Sequence, residues 1–206
     1  MVITDDSRSI TKEVMSTLNG LPAHILLVHV IVVLLPLSSL LLVVTAIWAK
    51  ARRRLAGANA ILAVFVWIMV PVTTNAGEWL ERRVPSTDLL RTHTELGDTA
   101  LFVAIPVALL AIVVWWRQRE SVAAQQAATS DVDEPTGGGT TTMTKTATRR
   151  RTFLAPASTA VTTVVAVLAV LAAGGACYQI YRIGDSGAQA SWQGKFSSDP
   201  APRPGH

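Results

Sequence analysis

The sequence predicts an all-α, polytopic membrane protein: a bundle of four transmembrane helices with a disordered cytoplasmic linker between helices three and four. Two observations carry this reading. Half of the residues are apolar and only 16% are charged, against about 25% in soluble domains. The apolar residues also fall into four blocks free of formal charge, at 25–48, 55–77, 99–116 and 152–181. Each block comes close to or exceeds the roughly 20 residues that a bilayer-spanning helix needs.

Residues 1–19 form a polar leader. Asp5 and Asp6 stand where a secretory signal carries a basic stretch, and no small-residue cleavage site follows. The first apolar run is therefore expected to stay as an anchor. Gly20-Leu21-Pro22 punctuates the chain, and Pro suits a first helical turn because its missing N–H would be unpaired there anyway. Helix one is expected over 22–50, bent near Pro36. Lys50, Arg52, Arg53 and Arg54 then read as a tight basic turn before helix two at 55–77.

Helix three is expected to start before the membrane, capped by Ser86 or Thr87. It crosses between Asp98 and Arg117 and closes on Trp115-Trp116 at interfacial depth. Residues 20–117 thus hold three spans. The stretch 118–151, with Ala-Ala-Gln-Gln, Gly137-Gly138-Gly139 and a Thr cluster, shows no apolar periodicity and reads as the disordered linker. Residues 152–192 give the fourth helix, with Tyr178 and Tyr181 at the opposite interface, and an outer segment; 193–206 read as an unstructured tail.

Basic residues beside the ends of spans set orientation. Arg52, Arg53, Arg54, Arg117, Arg119, Arg149, Arg150 and Arg151 gather on one side. Glu78, Glu81, Asp88, Glu95 and Asp98 gather on the other and outnumber Arg82, Arg83 and Arg91 there. Both termini are accordingly expected outside the cytoplasm. Because the basic residues cluster at helix ends, they read as topology anchors and not as a nucleic-acid surface.

Cys177 is the only cysteine, which excludes an intrachain disulfide and any Cys-rich metal site. It is expected to pack as a small buried apolar residue. Gly137-Gly138-Gly139 is followed by Thr rather than Gly-Lys-Ser/Thr, so it is no phosphate loop, and no nucleophile–base pair or zinc-protease motif is present. The reading leans against an enzyme. Small residues recur at helical spacing in Gly97, Ala100, Ala104 and Ala108, and in Ala169, Ala172, Ala173 and Ala176. They suit close helix packing within one bundle, and a homo-oligomer would leave the same trace.

The chemistry-bearing residues converge on the outer stratum. His24 and His29 lie at the outer end of helix one, Glu78 and Glu81 end helix two, His93 and Glu95 precede Asp98, and Asp185 follows helix four. His29 is the one titratable residue within the first run, and an ionisable group there is a functional hypothesis by default. Neutral imidazole suits haem iron or a divalent metal. His24 and His29 are five residues apart, which turns them about 140° from one another around a helix, so one ion cannot easily take both. Two ligand sets follow: His29 with His93 as axial ligands of a haem b, or His24, His93, Glu78 and Asp185 around a divalent metal. Gly97, one turn below His93, would leave room beside its ring. The bland alternative is that these histidines only make polar contacts between helices.

The segments Leu21-Pro22-Ala23-His24-Ile25-Leu26-Leu27-Val28-His29, Thr74-Asn75-Ala76-Gly77-Glu78, His93-Thr94-Glu95-Leu96-Gly97-Asp98 and Arg182-Ile183-Gly184-Asp185-Ser186-Gly187-Ala188, with Trp192, come in an order that resembles a bacterial family of four-helix membrane proteins catalogued as a domain of unknown function. Its opening signature reads His-Pro-Leu-Leu-Val-His. The resemblance implies a bacterial cytoplasmic membrane location and, because some members are fused to Rieske-type iron–sulfur domains, respiratory or other redox membrane proteins as partners. Two positions depart from the pattern: Ile25 follows His24 where the family has Pro, and Asp185 stands where relatives often carry His. A carboxylate there suits a hard or borderline metal and is a poor haem ligand.

The functional expectation is therefore a haem- or metal-binding, redox-associated membrane subunit. The alternative is a non-catalytic bundle that scaffolds partner membrane proteins. Transport ranks below both, because no carboxylate lies within a span.

Overall fold

A chain of uncharged apolar blocks in lipid has to satisfy its backbone polar groups internally, and helices do so within each segment. The computed structural model describes residues 17–18, 21–130 and 158–195. Thr17–Leu18 and Leu21–Pro22 pair as a two-residue antiparallel ladder, with Thr17 opposite Pro22 and Leu18 opposite Leu21. Five helices follow: α1 (Ala23–Ile47), α2 (Ala49–Glu81), α3 (Asp88–Asp98), α4 (Ala100–Ser130) and α5 (Thr159–Trp192). α1, α2, α3 together with α4, and α5 give four helical stretches long and apolar enough to cross a membrane. The all-α fold and the multi-pass membrane class stand.

The packing order is a ring. α1 lies against α2, α2 against α4, α4 against α5 and α5 against α1, with α1 and α4 also touching across the middle. The core is built from Leu35, Leu42, Val66, Val70 and Val107 with Ala104, Ala108, Ala111, Ala169 and Ala176. Alanines dominate where α4 and α5 meet their neighbours because lipid tails are as apolar as Leu, so association rests on close van der Waals contact. The large side chains point outward instead: Ile61 and Phe102 are each 74% exposed and Leu171 66%. So apolar an exterior is what a hydrocarbon solvent permits and water does not.

The boundary between α1 and α2 differs from the expected basic loop. Trp48 alone, in extended conformation, separates the helices, and the Lys50–Arg54 run is the opening of α2. Cations at a helix N-terminus oppose its dipole. Arg52 resolves this by reaching back, its Nε donating to the Thr45 carbonyl at 2.9 Å and its terminal nitrogen to the Ala46 carbonyl at 2.9 Å. These are among the last carbonyls of α1, which no helical N–H can reach. One arginine thereby closes α1 and tolerates the start of α2.

The third crossing is broken where polarity changes. Thr87 caps α3, its side chain accepting from the Leu90 N–H at 3.2 Å, with Asp88 in the first turn where the dipole favours it. Of the two caps expected from sequence, Thr87 is the one used. α3 and α4 meet at Thr99, whose hydroxyl donates to the Leu96 carbonyl at 2.6 Å. Gln179 of α5 donates to the Thr99 hydroxyl and holds this joint.

α4 continues through Ser130, so the first part of the expected 118–151 linker is helical. Ala and Gln are good helix formers, and Ala123, Ala124, Gln125, Gln126 and Ala127 extend the helix without an apolar face to bury. The remainder of that linker, the leader before Thr17 and the tail after Lys195 lie outside the described residues. α5 begins at Thr159, with the Ser158 side chain accepting from the Val161 N–H. Cys177 is exposed on the outer face of α5 and is not a core residue.

Candidate functional site: two histidines seated on glycines

At one end of the bundle, the beginning of α1, the end of α2, α3 and the end of α5 come together. Residue 24 lies near the start of α1 on the inward face, and its ring lies against α2. A Cβ built on Gly77 would stand 2.9 Å from His24 Cε1 and 3.0 Å from its Nδ1. The missing side chain lets the imidazole reach the main chain one turn earlier, where Nδ1 lies 3.0 Å from the Thr73 carbonyl oxygen. A carbonyl only accepts, so Nδ1 carries the proton. In the neutral ring Nε2 is then left with a lone pair.

His93 of α3 repeats the arrangement against α5. A Cβ on Gly187 would stand 3.0 Å from His93 Cε1 and 3.2 Å from Nδ1. His93 Nδ1 lies 3.1 Å from Ser186 Oγ, while the Ser186 hydroxyl donates to the Ile183 carbonyl at 2.9 Å. With its one proton committed, Ser186 Oγ accepts from His93 Nδ1–H, and this ring too offers Nε2. Both carbonyls lie four residues before their glycine, Thr73 before Gly77 and Ile183 before Gly187. The two seats share one construction.

The remaining candidates lie elsewhere. His29 is exposed on the outer face of α1 and its Nδ1 bonds the Ile25 carbonyl of its own helix, as a residue about 140° from His24 must. Glu78 is exposed and forms a 3.3 Å ion pair with Arg82. Asp185 is exposed and accepts from Gln189 Nε2 at 2.9 Å. Among the described residues, no group of three or more His, Cys, Asp or Glu is arranged to hold a metal ion. The structure thus seats His24 and His93 at the same end of the bundle, each against a different helix, and groups neither His29 nor the two carboxylates with them. Nothing lies within 4 Å of a Cβ at Gly97, so the room beside His93 is provided by Gly187 of another helix.

Gly77, Gly187, Thr73 and Ser186 were not among the candidates. The signal available was the pair of glycines inside apolar or amphipathic helices. Such a glycine costs about 1 kcal/mol relative to Ala and calls for a packing reason.

Comparison with protein-family models, with curated proteins and with solved structures gives no match to this chain.

Proposed function

We propose that this chain is a haem- or metal-binding membrane subunit whose ligands are the Nε2 atoms of His24 and His93. One observation carries the reading: both imidazoles are fixed through Nδ1–H by an oxygen of a neighbouring helix and keep Nε2 for a ligand. A metal-bound histidine almost always has its other ring N–H held this way, which fixes tautomer and ring orientation and raises basicity. Two neutral imidazoles suit haem iron, or a divalent metal completed by water or a partner's ligands. The Lys/Arg bias supports placing this end away from the cytoplasm, and the family resemblance supports a bacterial cytoplasmic membrane with redox partners.

The test is the absorption spectrum and metal content of the purified chain. A Soret band or a stoichiometric metal is expected, lost in His24→Ala and in His93→Ala and kept in His29→Ala. Absence of both signals from the protein as purified and after reconstitution would refute the proposal.

The scaffold reading has an observation of its own. α5 has 22% of its most apolar window buried, against 39% for α1, and Gly174 and Gly175 lie open on it. A partner helix there would be displaced by Gly174→Leu with the spectrum unchanged, as read by co-purification of membrane partners.

A further inference from the structure

At the opposite end of the bundle a groove of about 470 Å³ runs between the start of α2 and the later part of α4. That volume lies within the roughly 300–1,000 Å³ of small-ligand sites. Arg52, Arg53, Arg54 and Arg119 line it together with Trp115 and Gly57. Four cations share one concavity. Arg53, Arg54 and Arg119 have no carboxylate partner among the described residues, and Arg52 is held in place by its bonds to the α1 carbonyls. The Arg119 guanidinium stands 5.2 Å from the centre of the Trp115 ring. Trp115 in turn is seated on a glycine, since a Cβ on Gly57 would meet its Nε1 at 3.3 Å. The Trp115 indole N–H has no acceptor among the described residues and remains a donor beside the four cations.

Depth identifies the occupant. Leu55, immediately after Arg54, opens the uncharged run of α2, and Trp116 closes that of α4. The arginines therefore lie within about a turn of the last hydrocarbon-facing residues, beside the tryptophans that mark an interface. That is the level of lipid phosphates. Arginine presents a planar fork that holds phosphate oxygens two at a time, and basic pockets between helices at this depth suit anionic headgroups. We infer that the groove between α2 and α4 binds the headgroup of an anionic phospholipid, with Arg53, Arg54 and Arg119 on the phosphates and Trp115 as its wall. Three cations without a carboxylate partner among the described residues exceed the single charge of one phosphodiester, so a headgroup carrying two phosphodiesters suits them better.

The experiment is native mass spectrometry of the full chain in mild detergent, titrated with cardiolipin, phosphatidylglycerol and phosphatidylcholine. Cardiolipin is expected to bind most tightly and phosphatidylcholine not detectably. Arg53→Gln with Arg54→Gln should weaken cardiolipin about 30-fold, from roughly tenfold or less per surface cation, whereas Arg82→Gln with Arg83→Gln at the other end should leave it unchanged. If the double variant loses helical circular dichroism, Arg119→Gln alone carries the test. Equal binding of all three lipids, or undiminished binding by the folded variants, would overturn the inference. So would displacement of cardiolipin by equimolar inorganic phosphate or tripolyphosphate, which would mark a site for soluble anions. The acidic residues Asp131, Asp133 and Glu134 that follow α4 are the other conceivable occupants. Their replacement by Asn and Gln should leave lipid binding unchanged, and a large rise would assign the groove to them instead.

Discussion

Gly77→Ala separates the seat of His24 from ordinary helix energetics. The new methyl would stand 2.9 Å from His24 Cε1, closer than side chains pack, so the ring has to swing off α2. It then loses the 3.0 Å bond to the Thr73 carbonyl, worth about 1 kcal/mol, and about 0.5–1.5 kcal/mol more if it is left between rotamers. Against this, Ala gains about 1 kcal/mol over Gly in a helix interior. The net effect is a destabilisation of about 0.5–1.5 kcal/mol. Gly174→Ala is the control, because nothing lies within 4 Å of its Cβ; it should gain up to about 1 kcal/mol. The same chemical change thus differs by about 1.5–2.5 kcal/mol between two helix positions, read as unfolding midpoints in detergent. If a haem or metal is bound, Gly77→Ala should also weaken it about 10- to 100-fold, the usual cost of disturbing a ligand's supporting contact. Equal stabilisation by the two substitutions, with binding unchanged, would refute the argument that Gly77 exists to seat His24.

Three further outcomes follow from the same geometry. Ser186→Ala removes the acceptor of His93 Nδ1–H and should cost about 10- to 100-fold in metal or haem affinity, with helical content unchanged and partial rescue by Thr, as followed by spectral titration. His29→Ala should leave that affinity within twofold, because His29 bonds only its own helix and faces outward; a tenfold loss would show that the lipid-facing imidazole is used. Arg52→Gln unties the end of α1 from two charge-assisted bonds, each worth about 1.5–3 kcal/mol when fully desolvated and less at this half-exposed position. A destabilisation of about 1–3 kcal/mol is expected, measured by denaturant unfolding of the reconstituted protein.

Much of the architecture can be read from the order of residues because lipid imposes a simple rule: charge is excluded from a span, so uncharged blocks mark the helices. The four spans, a cap at Ser86 or Thr87, and the opposite facing of His24 and His29 all follow from block length, local capping chemistry and the helical repeat. The small-residue seam of α4 is likewise buried as its spacing suggests, at Ala100, Ala104 and Ala108. Helix ends were less legible. Trp48 alone replaces the expected basic loop because the guanidinium of Arg52 can do for α1 what a longer turn would have done. α4 passes Arg117 because an Ala/Gln run carries helix propensity even where its composition looks like a linker.

What the sequence by itself determined is the class of solvent, the helices that solvent requires, and that His24 and His29 do not share a face. What only the tertiary structure decided is the company of each side chain. His93 finds its glycine at position 187 of α5 rather than at position 97 of its own neighbourhood, and Glu78 and Asp185 turn to Arg82 and Gln189 instead of joining the histidines. The physical reason is that such contacts join residues up to 94 positions apart, as His93 and Gly187 are. Helical periodicity fixes direction only within one helix. Which helix stands beside which face is set by how alanines and glycines let backbones approach, and no local pattern records that.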